Sequence, residues 1–207
     1  FTPWLWSTGA TSYDINNDNG IKALTLVKDL VDAGSMSKEV INWTQGDVMN
    51  QFISGNIAMM VNGPWQVPTM REQAPDLNWD VTLLPKDAEY ASCLGGENFG
   101  VIDGDNVDAA LDFLQFATSK DEVASYIDDF GYIAARKDVA EGQFTDDETM
   151  QKFTEEMQYA QPRGPHAQWP EISDALSLAV NESITGTSTP SDAAAKAQST
   201  IDGILAE

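Results

Sequence analysis

Cationic, thiol and imidazole chemistry are all scarce in this chain. Its 207 residues hold one cysteine (Cys93), one histidine (His166), and 11 Lys and Arg against 33 Asp and Glu. A single thiol excludes an internal disulfide and a cysteine-rich zinc site. Beside the apolar Leu94, Cys93 is expected to be a small buried thiol rather than a nucleophile. The formal net charge of −22 argues against nucleic acid or an anionic membrane surface as partner, since both require clustered Lys and Arg. Solubility is the ordinary reading of such acidity. No apolar run approaches the roughly 18 residues of a membrane span. Catalytic signatures are missing as well: there is no G-x-S-x-G elbow, no phosphate-cradling glycine loop and no H-E-x-x-H. A metal site would have to join carboxylates to one imidazole at no recognisable spacing, so neither metal nor cofactor is expected. His166 follows Pro165 and reads as a loop or cleft-rim residue. Carboxylate pairs such as Asp128-Asp129 and Glu155-Glu156 read as solvated helix faces.

What is present suffices for folding. With 42% hydrophobic residues the chain can build an ordinary core, as one large domain or two small ones. The organising stretch runs from Phe52 to Trp65. Upstream, Thr44 can cap a short helix carrying Asp47, Val48 and Phe52, and Gly55 closes it. Ile57 to Val61 is an apolar run that reads as a buried strand, and Gly63-Pro64 then turns the chain into Trp65. Further strands are expected over Trp79–Leu84 and Phe99–Ile102. Helices are expected at Gly20–Ala33, closed by Gly34, and at Val67–Gln73. Another carries Val107, Ala110, Leu111, Leu114 and Ala117. The capping boxes Ser119-x-x-Glu122 and Thr145-x-x-Glu148 should open two more. The first of these would turn Val123, Tyr126, Ile127 and Phe130 inward and end at Gly131. Pro170 suits the first turn of a helix bearing Ile172, Leu176 and Ala179. The last, from about Ser191, carries Ala194, Ala197, Ile201 and Leu205 on one side. Short strands among many helices, without internal repeats, indicate an α/β protein.

Tryptophan is the residue that stands out, with six in the chain. Four of them (Trp4, Trp6, Trp65 and Trp169) lie beside or within a few residues of Pro or Gly. A pyranose presents a C–H face that stacks on an indole, and hydroxyls that need planar polar partners. Glu97, Asn98 and Arg163 would supply these in a mostly pre-formed apolar cleft. Trp79 and Trp43 read as core, Trp65 and Trp169 as site residues, and Trp4 and Trp6 fit either description.

The order of these features resembles the extracellular solute-binding proteins of ATP-driven sugar importers (family 1, the maltose-binding type). The matching pieces are Phe52-x-x-Gly55-x-x-Ala58-Met59 with Gly63-Pro64-Trp65, then Leu84-Pro85, then Gly95-Gly96 before a short strand. The helix from Asp108 to Leu114 and the end Trp169-Pro170-Glu171-Ile172 with its two closing helices also match, so the resemblance covers nearly the whole chain. It implies a periplasmic-binding-protein fold of type II, with a helix-rich C-terminal lobe and a helical portion of the N-terminal lobe. Residues 1–92 would begin the C-terminal lobe, 93–145 would cross the hinge into N-terminal-lobe helices, and 146–207 would return. The implied function is capture of a neutral oligosaccharide, unchanged chemically, for the membrane permease subunits of an ABC importer. The receptor would be a monomer, extracellular as a lipoprotein or periplasmic. Trp65 matches the family's sugar-stacking tryptophan and Phe1 falls near an aromatic pair at the cleft. Trp169, Arg163 and Glu97 match further ligand positions, and Trp6 and Asn98 complete the expected set. The opening Phe1-Thr2-Pro3-Trp4-Leu5-Trp6 reads as a start within a larger protein, so the chain is expected to be a C-terminal fragment. Two alternatives stand beside the receptor. One is a glycoside hydrolase, which needs a spaced carboxylate pair where only Glu97 is placed in the cleft. The other is a purely structural acidic domain.

Overall fold

A computed structural model describes residues 1–206. In chain order the elements are α1 (Thr2–Ser7), α2 (Asp18–Asp32), α3 (Gln45–Ile53), α4 (Val67–Gln73), β1 (Ser92–Leu94), α5 (Val107–Ala117), α6 (Lys120–Tyr126), α7 (Lys137–Ala140), α8 (Glu148–Glu156), β2 (Ala160–Pro162), α9 (Trp169–Thr185) and α10 (Pro190–Leu205). Short 3-10 turns lie at Lys38–Ile41, Pro64–Gln66 and Met157–Tyr159. The chain divides into two compact units. The first comprises 1–44, 84–94 and the residues from Met157 onward; the second comprises 45–83 and 95–156.

The core of the first unit is made where α2, α9 and α10 meet. Asn17 starts α2 by accepting the Asn19 and Gly20 N–H groups, both at 3.0 Å, a standard end to an otherwise unsatisfied helix terminus. Leu24, Val27 and Val31 follow at helical spacing and are buried. The chain then leaves through Gly34, whose φ of +72° suits glycine. Pro170 lies in the first turn of α9, and Ile172, Ala175, Leu176 and Ala179 form its buried stripe. Thr189 caps α10 by accepting the Asp192 N–H at 3.1 Å, and Ala193, Ala194, Ala197 and Ile201 face the core. Alanines on α9 and α10 let these backbones approach closely, while Leu24, Ile172, Leu176 and Ile201 fill the remaining space. Each such large side chain contributes about 1.5–3 kcal/mol on burial. Strands β1 and β2 run parallel, Ser92 opposite Ala160 and Leu94 opposite Pro162.

The second unit is held by smaller clusters. Val67 and Met70 of α4 are buried, as are Met49 of α3 and Met150 of α8. Val123, Ala134 and Val139 form a patch with Tyr126 and Ile127 packed against it. Arg71 of α4 grips the Asp147 carboxylate with both terminal nitrogens, at 2.7 and 2.8 Å.

Most helical expectations hold, although α6 stops at Tyr126 rather than at Gly131, whereas the three expected strands do not form. Ile57–Val61, Trp79–Leu84 and Phe99–Ile102 make no ladder among the described residues, whose only strands are β1 and β2. Rather than being buried, Met59 is 86% exposed and Val61 55%. An apolar run is a strand only when another backbone satisfies its N–H and C=O groups. The strands that do pair fall at Ser92–Leu94 and Ala160–Pro162, where periodicity carries no signal. Helix α8 begins at Glu148 instead of at a Thr145 cap, because Asp147 accepts the Met150 N–H at 3.1 Å. Ser119 precedes α6 with extended backbone but without a side-chain capping bond. Phe130 and Leu205, both expected inside, are exposed. Cys93 is only partly buried, against the first unit's core. The opening residues form α1.

Candidate functional site

In the second unit, the turn at Gly63-Pro64-Trp65 sets one aromatic surface. Gly63 has extended backbone (φ −106°, ψ 168°), and Pro64 opens the 3-10 turn that places Trp65 just before α4. The indole folds back over Gly63. A Cβ there would lie 2.1 Å from Cη2 of Trp65 and 2.2 Å from its Cζ3. Only glycine leaves room for the ring, which is why the dipeptide precedes this tryptophan.

Gly131 completes the surface from the other side. Its φ is +67°, and a Cβ would meet the Pro64 carbonyl oxygen and Pro68 Cδ, each at 2.8 Å. This close approach delivers the next residue, Tyr132, to Trp65, with ring centroids 6.1 Å apart and planes 34° apart. Gln143 fixes the Tyr132 backbone by donating to its carbonyl at 3.0 Å. The Tyr132 hydroxyl makes a long hydrogen bond of 3.5 Å to Oε1 of Glu97. Two expected residues, Trp65 and Glu97, are thus joined through a tyrosine that sequence reasoning missed. Its one available signal was the glycine before it. Asn98 is exposed in the same loop.

In the first unit, a second aromatic surface gathers at the start of α9. Trp169 meets Tyr13 edge to face, with centroids 6.5 Å apart and planes at 77°. His166 lies 6.4 Å from the same tyrosine. Nδ1 of His166 accepts the Gln168 N–H at 3.1 Å. Tyr13 is anchored by Gln198 of α10, which donates to the Tyr13 carbonyl at 2.9 Å and accepts the Ile15 N–H at 2.8 Å. Phe1 packs, partly buried, against the same core cluster as Tyr13 and Trp169. It also lines an apolar groove of about 180 Å³ with Trp4, Met36 and Val40. Arg163 is exposed immediately after β2. Trp6 belongs elsewhere: it is 7% exposed within the core, and its indole N–H donates to Ser12 Oγ at 3.1 Å. It is a packing residue, because its one polar atom is already satisfied inside.

Among the described residues, no group of three or more His, Cys, Asp or Glu could hold a metal ion. No helix among them is long and apolar enough to cross a membrane. Both surfaces offer flat rings edged with polar groups, an arrangement suited to holding a ligand by stacking and hydrogen bonds.

The family model for bacterial extracellular solute-binding proteins matches residues 1–152. The chain belongs to this family. Candidate binding proteins of Brucella abortus (strain 2308) and Brucella suis biovar 1 (strain 1330) are 27% identical to it over 207 aligned positions, covering 93% of this chain and 50% of theirs. The chain therefore spans about half the length of the curated relatives it matches. Among solved structures it is similar to an ABC transporter solute-binding protein of Thermotoga lettingae TMO bound with α-D-tagatose. The TM-score is 0.85 at 26% identity, covering 99% of this chain and 55% of that one. The maltose-bound T. maritima MalE3 gives a TM-score of 0.83 at 23% identity, with 98% and 56% covered. The cycloalternan complex of an ABC substrate-binding protein from Listeria monocytogenes gives 0.78 at 20%, with 99% and 56% covered. The solute-binding-protein fold is that expected from the sequence, and the family and these neighbours are binding proteins, not enzymes. The glycoside-hydrolase alternative is set aside on that ground.

Proposed function

We propose that this chain is part of a receptor that captures a neutral oligosaccharide and passes it, unchanged, to the permease subunits of an ABC importer. The observation that carries this reading is the Trp65–Tyr132 surface with Glu97 at its edge. A pyranose face can stack on the indole while an equatorial hydroxyl donates to the carboxylate. Trp169 and Tyr13 offer a second stacking surface in the first unit, and Phe1, Arg163 and Asn98 are further ligand contacts in this proposal. The sugars in the similar solved structures, tagatose, maltose and cycloalternan, support a carbohydrate. Neutrality follows from charge: 33 acidic and 11 basic residues would repel an anionic sugar. The receptor acts as a monomer outside the cytoplasm, in the periplasm or anchored as a lipoprotein. The lobe boundaries expected after residues 92 and 145 belong to the same proposal.

The test is Trp65→Ala in the full-length protein. Affinity is measured by calorimetry against maltose, mannobiose and tagatose, and stability by urea unfolding without ligand. A central aromatic anchor should cost about 2 kcal/mol or more in binding, roughly 30-fold. Stability should fall by well under half of the ~3–5 kcal/mol of a fully buried Trp→Ala change. Binding should barely respond to salt, which screens charge attraction beyond about 8–10 Å. Retained affinity with a loss of several kcal/mol in stability would make Trp65 a core residue and remove the basis of the reading.

A further inference from the structure

The sequence contains two Asn-Gly steps, Asn19-Gly20 and Asn62-Gly63. Such a step exposes the asparagine side chain to attack by the following backbone nitrogen, because glycine has no Cβ to obstruct the approach. The fold treats the two differently. Asn19 lies in the first turn of α2, and the Gly20 N–H is taken by the Asn17 side chain at 3.0 Å. Gly20 is also pressed onto Ile15, whose carbonyl oxygen would lie 2.0 Å from a Cβ at that position. Helical backbone and a committed N–H keep that nitrogen from the Asn19 amide.

Asn62 lies outside any helix or strand, and the Gly63 N–H donates to the Oδ1 of Asn62 itself at 3.0 Å. The side-chain carbonyl is therefore already seated against the nitrogen that would attack it. The amide Nδ2 donates to the Gln45 carbonyl at 2.9 Å, which holds the side chain in this rotamer.

The geometry points to Asn62-Gly63 as a site of spontaneous succinimide formation and isoaspartate conversion. The Gly63 nitrogen bonds to Cγ of Asn62, the Cγ–Nδ2 bond breaks, and the proton from the Gly63 nitrogen leaves with Nδ2 as ammonia. Water then opens the five-membered imide. Attack at Cγ gives aspartate; attack at the Asn62 backbone carbonyl carbon gives isoaspartate, with the chain continuing through Cγ. No oxidant or reductant is needed, and each conversion adds one negative charge. Isoaspartate also lengthens the main chain by one methylene immediately before Gly63, on which the Trp65 ring rests. The site thus couples ageing of the protein to the position of the Trp65 turn, whatever ligand that turn holds.

The experiment uses the full-length protein, aged in mildly alkaline buffer and mapped by mass spectrometry, with hydroxylamine as a trap that cleaves the chain at a succinimide. In the native protein, conversion at Asn62 should exceed that at Asn19 by about tenfold or more, a ratio equivalent to about 1.4 kcal/mol of local opening. Hydroxylamine should cut after Asn62 and spare Asn19-Gly20, and unfolding in urea should bring the two rates together. Asn62→Gln should abolish the native cut, while Asn19→Gln should leave it in place. Equal conversion at both steps in the native protein, or a native Asn62 that converts no faster than Asn19, would overturn the proposal.

Discussion

The substitution Gly63→Ala isolates what the close approach at Trp65 does. The backbone of Gly63, at φ −106° and ψ 168°, is extended and open to alanine. The new methyl carbon, however, would stand 2.1 Å from Cη2, 2.2 Å from Cζ3 and 2.4 Å from Cζ2 of Trp65. Ordinary carbon contacts lie at about 3.5–4.0 Å, so the ring must retreat by roughly 1.4–1.9 Å. Overpacking of this kind costs about 1–3 kcal/mol, and the low end is expected because the ring is only partly buried and can swing outward. Swinging separates the indole from Tyr132, so under the proposed function sugar affinity should fall by an amount similar to Trp65→Ala, about 2 kcal/mol or 30-fold. The decisive measurement is the double-mutant cycle, by urea unfolding and calorimetry. With Trp65 already alanine, Gly63→Ala has nothing to strike. It should then stabilise by about 0.4–1 kcal/mol, through lost freedom of the unfolded chain. The stability effect therefore changes sign with the background. An equal cost in both backgrounds would refute the reasoning, because the clash would then not be with the indole.

Other expectations follow from single contacts. Hydrogen bonds from Arg71 hold the Asp147 carboxylate below its usual range. This depressed value adds stability that is full above the unfolded carboxylate range near pH 4 and disappears as pH falls through the native value. Both side chains are partly solvated, so the gain is about 0.2–1 kcal/mol. Asp147→Asn keeps a good helix cap for α8 and should flatten this acid limb of the stability profile; an unchanged limb would show that the pair contributes nothing. Gln198→Ala would leave the fully buried Ile15 without its N–H acceptor. It should cost about 1–3 kcal/mol in urea unfolding. The same substitution frees the Tyr13 carbonyl and should weaken any binding that uses the Trp169–Tyr13 surface.

The helices were the legible part of this protein. The spacing of Leu24, Val27 and Val31, Pro170 ahead of Ile172, and Gly34 or Gly55 at a helix end are local facts. Their partners lie within one or two turns, so sequence spacing alone carries them. The same locality made Gly63-Pro64-Trp65 conspicuous, although the reason for Gly63 is the ring folded over it. Strands were another matter. Ile57–Val61 has the composition of one and Ser92–Leu94 does not, yet only the latter pairs, through Ala160–Pro162, a segment 66 residues away or more. Nothing local encodes which backbone will supply those hydrogen bonds.

Side-chain partnerships across long separations were equally hidden. Glu97 reaches Trp65 only through Tyr132, and Tyr132 is delivered by the contact of Gly131 with Pro64 and Pro68. Trp6 and Trp4 looked alike in sequence, but Ser12 satisfies the Trp6 indole inside the core while Trp4 edges a groove. Composition and helical spacing determined that this is an acidic, helix-rich chain with aromatic residues at its turns. Which of those aromatics meet each other, and which are consumed by packing, was decided only when distant segments came together, because stacking and burial depend on neighbours that sequence order does not specify.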